Sequence, residues 1–441
     1  MGRSESLPIT TATRGRLTGL LEELLNGLLD MAARREAARL AFSRRGRTGM
    51  PLRWLSNVRL PGADGLWRIG LEPASDGPRI AALRPLPPGS AAAGEDWGGD
   101  RLSPAAIDLQ INGGLGLAFP ELTEADLPTL LRLLDTLWND GVEAIAPTLV
   151  TCATADLRRA LGVLRQARAA HRPGRCRLLG AHLEGPFLEP SRRGAHPAQH
   201  LAAASPEALQ ERIAGFEREI ALLTLAPERP GALELCRHLS ERGVVVCLGH
   251  SAASEQQAQA GFEAGVRMLT HAFNAMADMH RRAPGPVAAA VLRGDIALGL
   301  IADGVHVASS MAVLLQRLAP QQLVLVSDAL APYGLPDGTY RWDERPLIVE
   351  QGSCRLEDGT LAGVTLPLLE AVRRLASWSG DADTAIAAAT LHPRRVLGDQ
   401  RPLASLLLGL PLAETLRWSG EAAALQGRRS AAASGQLHDP E

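Results

Sequence analysis

Aromatic side chains are scarce, with phenylalanine, tryptophan and tyrosine together making up 3% of 441 residues. So sparse a set argues against an extended surface on which sugar rings stack one after another. An excess of either charge is also missing: 46 Lys and Arg against 48 Asp and Glu leave a formal net charge of -2. Without a basic field, nucleic acid and anionic membranes are not expected as partners. No apolar run reaches bilayer length, and the first residues lack the basic, apolar, small order of a secretory signal, so a cytoplasmic location is expected. Clustered cysteines are absent too. Cys152, Cys176, Cys236, Cys247 and Cys354 stand singly, which suits reduced core thiols rather than a disulfide framework or a thiolate zinc site.

What is present is a change of cadence along the chain. Leucines from Leu17 to Leu29 recur at helical spacing, so residues 1–50 are expected to hold an amphipathic helix, over about 14–42, and a basic turn. Residues 51–103 alternate short apolar pieces with Gly, Pro and Asp, the pattern of a small β-rich segment ending in a linker over about 85–103. From 104 to 398, apolar runs alternate with helical segments, and about eight such runs predict an α/β fold, a closed (β/α)8 barrel of the TIM type. Turn-rich pieces over 333–357 read as a hairpin insertion. Residues 399–441 are expected to form a C-terminal segment whose tail, from about Gly420, is disordered.

In such a barrel the reactive groups sit where strands end. Leu178 to Pro186 is an apolar run that stops at Glu184, followed by Gly185-Pro186. Further along, predicted strands end in Gly249-His250-Ser251, Thr270-His271 and Ser327-Asp328, and another approaches Asp303 and His306. One carboxylate and two imidazoles from three strands, Glu184, His250 and His271, form the ligand set of a catalytic divalent metal with coordination positions left open. Asp328 is then placed to accept a proton from water and pass it to a leaving amine. Taken singly, each histidine is also compatible with a structural role, and Asp328 with an ion pair.

Blocks of residues support a more specific reading. Asp108-Leu-Gln-Ile-Asn-Gly-Gly114, His182-Leu-Glu-Gly-Pro186, Arg193-Gly-Ala-His196, Gly249-His-Ser251, Thr270-His-Ala-Phe-Asn-Ala-Met276, Arg282-Ala-Pro-Gly285, Ile301-Ala-Asp-Gly-Val-His-Val307, Val326-Ser-Asp-Ala329 and Leu361-Ala-Gly363 occur in order over about 104–398. Together they resemble the N-acetylglucosamine-6-phosphate deacetylase family of the amidohydrolase superfamily. The resemblance implies Glu184, His250 and His271 as ligands of one metal ion, zinc before iron, and Asp328 as acid and base. It further implies His196 against the acetamido carbonyl, with Ala195, Asn274, Ala275, Arg282, His306, Leu361, Ala362 and Gly363 around the sugar phosphate. A homodimer and a small-molecule amino-sugar phosphate substrate follow from the same likeness.

Departures from the family pattern are specific. Gln110-x-Asn112 stands where many superfamily members have His-x-His; amides ligate transition metals poorly, which argues for one ion rather than two. Ala283 replaces the acidic residue usual after the phosphate-binding arginine, and Val364 a small polar one. The segment after Gly398 lacks the regular strands that complete the family's small sheet. Rival readings are an amidohydrolase for another N-acyl sugar or a cyclic amide, and a noncatalytic sugar-phosphate-binding protein.

Overall fold

The structure, a computed structural model, describes residues 51–90 and 93–430. The amphipathic helix expected over 14–42 lies outside them. Eight strand positions form one parallel sheet: Ala106–Ile111, Val142–Val150, an interrupted third strand (Arg177–Leu178 and Ala181–Glu184), Ile220–Leu225, Val245–Leu248, Val266–Leu269, Ala297–Leu300 and Leu323–Leu325. Each pairs in parallel with the next around the ring. The seam between last and first is joined by the Asp328 amide donating to Gln110 O (2.8 Å) and the Asn112 amide to Ala329 O (2.7 Å). Burial on both faces, complete over Leu323–Leu325, explains why most of these strands are apolar runs rather than alternating patterns.

The helices between strands follow the apolar spacing. Leu127–Asn139 turns Leu130, Leu133, Leu134 and Leu137 inward, each burial contributing on the order of 1.5–3 kcal/mol. One helix was not expected: Gly285–Arg293, whose Gly-Pro start reads as a loop, with Pro286 at a position where the missing N–H is harmless.

Two readings near the termini are corrected. The linker expected over 85–103 contains the buried strand Arg101–Pro104, which pairs antiparallel with Thr415–Ser419. The tail expected to be disordered from Gly420 instead carries strand Gln426–Arg429 on the other edge of Thr415–Ser419. Tertiary packing overrides the polar composition there. Trp418 is wholly buried, a Cβ at Gly427 would lie 2.4 Å from its ring, and the Arg429 guanidinium sits 3.6 Å from the Trp138 ring centre. The Leu-rich stretch also has a place, since Leu407 and Leu412 pack with Leu55, Ile69 and Ile80 of the small four-stranded sheet formed by Arg53–Val58, Leu66–Glu72, Arg79–Leu86 and Glu95–Asp96.

The expected hairpin insertion is a four-stranded antiparallel sheet of Gly338–Trp342, Arg345–Glu350, Ser353–Leu356 and Leu361–Val364. Its first turn, Asp343-Glu344, is docked between two loops of the barrel mouth. The Asp343 amide donates to Glu121 Oε1 at 3.0 Å, and Arg345 Nη2 donates to Ala195 O at 2.9 Å.

Candidate active site

Glu184 is the last residue of the third strand, and His250 and His271 lie just beyond the fifth and sixth. All three are at most 5% exposed. His250, His271 and also Asp328 have left-handed backbones, with φ of 48°, 32° and 51°. Non-glycine residues rarely adopt that conformation, and its concentration at this rim marks a place where backbone strain is tolerated.

The three side chains meet at one point. His271 Nε2 lies 3.1 Å and His250 Nε2 3.3 Å from the same oxygen, Glu184 Oε1, and the two nitrogens are 3.1 Å apart. His250 Nδ1 donates to Arg192 O at 2.9 Å, which leaves its Nε2 lone pair facing the cluster. A carboxylate oxygen and two imidazole nitrogens within 4.8 Å of one another can hold a metal ion, and three protein ligands suit a catalytic rather than a closed structural site. Burial acts to raise the Glu184 carboxyl, but the hydrogen bonds and charges of His250 and His271 outweigh it and hold it well below the usual carboxylate range. His271 is raised in turn, the Glu184 carboxylate overcoming the opposing effect of burial. A fixed negative charge facing two imidazoles in a dry setting is an electrostatic environment that favours a cation.

Asp328 is buried beside this cluster. Its Oδ1 accepts from Asn112 Nδ2 at 2.7 Å and Gln110 Nε2 at 3.2 Å, and the same Gln110 nitrogen reaches Glu184 Oε1 at 3.1 Å. Burial, then the Glu184 charge, pushes the Asp328 carboxyl up to about 7. The two amides of the first strand thus serve as donors that space the carboxylates. The period-two spacing of Gln110 and Asn112 signals their shared direction but not this role. Asp108 lies deeper, holding the barrel seam by accepting from the Ser327 amide.

His196, on the loop after the third strand, stacks edge-on to His250 with ring centres 4.4 Å apart. The Thr151 backbone N–H donates to its Nδ1 at 3.3 Å, so the neutral ring carries its proton on Nε2. Burial, then the neighbouring His250, lowers its pKa to about 3, which keeps the ring neutral. A cavity of about 300 Å³ opens over these groups. Ala195, His196, Asn274, Ala275, His306, Leu361 and Ala362 line it. Gly363 does not line it but lets the insertion approach Asp328: a Cβ there would lie 2.6 Å from Asp328 O. Arg282 is not brought into this cavity; it is exposed on the loop before helix Gly285–Arg293. The sequence did not signal Trp342, delivered from the insertion, or Arg192, both of which line the cavity.

No family model matches the chain. It is 35% identical over 358 residues to N-acetylgalactosamine-6-phosphate deacetylase of Escherichia coli O157:H7, covering 81% of this chain and 89% of that protein. Against N-acetylglucosamine-6-phosphate deacetylase of Vibrio furnissii the identity is 34% over 309 residues, covering 70% and 76%. The crystal structure of N-acetyl-D-glucosamine-6-phosphate deacetylase from Mycobacterium smegmatis superimposes with a TM-score of 0.72 at 30% identity, covering 86% of this chain and 99% of that one. A mutant of that enzyme, in complex with N-acetyl-D-glucosamine-6-phosphate, gives the same TM-score at 28% identity, covering 86% and 98%. A barrel mouth that gathers one carboxylate, two imidazoles and a second acid, in a chain this similar to these enzymes, makes the protein a member of the N-acetylglucosamine-6-phosphate deacetylase family of amidohydrolases, hydrolases of carbon–nitrogen amide bonds.

Proposed function

We propose that the protein hydrolyses the N-acetyl group of N-acetylglucosamine 6-phosphate, giving acetate and glucosamine 6-phosphate. The observation that carries this reading is the convergence of Glu184, His250 and His271 on one point with Asp328 hydrogen-bonded into the same cluster. Those three residues would hold one divalent ion, zinc being the best match to a mixed nitrogen and oxygen donor set and iron the next. Such an ion supplies the Lewis acidity that makes an amide carbonyl electrophilic and water acidic near neutrality. Asp328 takes the proton of the attacking water and later delivers it to the amine nitrogen as the C–N bond breaks. The neutral His196 offers Nε2–H to the carbonyl oxygen, where negative charge develops. Asp303 Oδ2 accepts from His306 Nδ1 at 2.7 Å and so orients that ring toward the sugar phosphate.

A second reading has specific support, because the Escherichia coli relative is named for the galacto epimer. Assays on both amino-sugar 6-phosphates and their unphosphorylated forms decide between them. The gluco phosphate is expected to be the best substrate, with kcat/KM falling about a hundredfold or more without the phosphate. Faster turnover of the galacto phosphate would reassign the sugar, and indifference to the phosphate would reject the substrate class.

A homodimer is proposed from apolar side chains exposed on two neighbouring strand-helix units. Leu292 is 77% exposed on helix Gly285–Arg293, and Met279, Val305, Leu314 and Leu318 are exposed on the same two strand-helix units. Exposed apolar side chains of this size are candidates for an association surface. Leu292→Glu is expected to halve the mass measured by light scattering; an unchanged dimer would move the interface elsewhere. Cytoplasmic residence is supported by five free cysteines, four of them buried. Among the described residues, no helix is long and apolar enough to cross a membrane.

A further inference from the structure

We propose that Arg192 recognises the phosphate of the substrate from within a single chain; this deepens, and rests on, the amino-sugar phosphate reading above. Arg192 is half-buried and, among the described residues, is the one arginine that lines the catalytic cavity. Among the described residues, its guanidinium has no carboxylate or carbonyl partner. Of the other arginines near this rim, Arg345 is engaged by Asp343, Arg341 by Glu344, Arg159 by Asp156 and Arg229 by Glu189, while Arg193 is exposed and borders the neighbouring cavity instead. With no protein group among the described residues to donate to, the guanidinium keeps its donors free for a ligand. Its planar fork of donors matches two phosphate oxygens.

The loop places this cation on a definite side. Arg192 O accepts from His250 Nδ1 at 2.9 Å, and the Glu189 amide donates to His250 O at 2.9 Å, so the short helix Pro190–Arg192 is fastened to the turn at His250. One residue on, the Ser251 amide donates to Ala275 O at 3.0 Å. Arg192 and the Asn274–Ala275 segment therefore flank the same turn, whereas Asp328 is fastened to Gln110 and Asn112 on the first strand. Arg192, Asn274 and Ala275 line one cavity, so an anion held against the last two shares that cavity with Arg192. With Arg282 exposed and outside this cavity, Arg192 is the arginine that the described residues of one chain offer there.

The test compares N-acetylglucosamine 6-phosphate with N-acetylglucosamine for the parent, Arg192→Gln and Arg192→Lys, with metal content measured in each. Arg192→Gln is expected to raise KM for the phosphorylated sugar about ten- to a hundredfold, with a much smaller change in kcat. The preference for phosphate should shrink by the same factor, Arg192→Lys should recover part of it, and metal content should stay at the parent's level. A preference unchanged in Arg192→Gln, or equal losses on both sugars accompanied by loss of metal, overturns the assignment, the latter pointing to a role through His250 instead. A parent enzyme indifferent to phosphate would overturn the substrate reading as well, which separates the two failures.

Discussion

Replacing Asp328 by asparagine is expected to lower kcat for acetate release by about a hundred- to ten-thousandfold, toward the upper end because one carboxylate serves as base and then as acid. Metal content and affinity for glucosamine 6-phosphate should stay close to the parent's. The side chain of asparagine has the same shape and keeps an oxygen for the Asn112 and Gln110 amides, so the cavity wall is preserved. What disappears is the capacity to take up a proton. Folding is not expected to suffer. Burial and the Glu184 charge already push the Asp328 carboxyl up to about 7, so its ionised form is disfavoured by the fold, and a neutral amide relieves that conflict. The metal-free variant should melt no lower than the metal-free parent. Acetate release at the parental rate would remove Asp328 from the mechanism, whereas loss of metal along with activity would make it a structural residue.

The cluster of Glu184, His250 and His271 was legible because strand ends leave a clear trace in sequence. In a strand read as an apolar run, a carboxylate is most easily placed where the strand leaves the sheet, so Glu184 before Gly185-Pro186 announces a rim, and His250 and His271 stand just past their own apolar runs. Side chains brought in by other elements left no such trace. Trp342 reaches the cavity because a two-residue turn in the insertion is docked onto Glu121 and Ala195, contacts remote in sequence. Strand Gln426–Arg429 was hidden by its polar composition; its stability comes from Trp418 covering Gly427 and from Arg429 against Trp138. Helix Gly285–Arg293 was hidden by a Gly-Pro pair that in isolation signals a turn. Arg282 shows the converse. Its residue type suits a phosphate, but within one chain it lies exposed outside the cavity, so such a contact would have to reach the cavity of a second subunit, as the family resemblance implies.

Removal of the metal should have the largest effect of all, taking acetate release to background and lowering the melting temperature together. The folded cluster holds a buried carboxylate against two imidazoles whose nitrogens stand 3.1 Å apart. An ion bound only by the folded state stabilises it by mass action, on the order of 4 kcal/mol when present at a thousand times its dissociation constant. Chelation followed by stoichiometric zinc should restore both readouts. His271→Ala should abolish activity and metal content at once and resist rescue by added metal, since one carboxylate and one imidazole remain. The affinity for metal should also fall as pH drops through the imidazole range. Ligation needs unprotonated Nε2 atoms, and Glu184 raises the His271 pKa against the opposing effect of burial, so protons compete with the cation from above the ordinary histidine value. Metal titrations at pH 8 and pH 6 would read this directly. Equal affinities at both would mean that the imidazoles do not ligate, and a chelated enzyme that still released acetate would remove the metal from the chemistry.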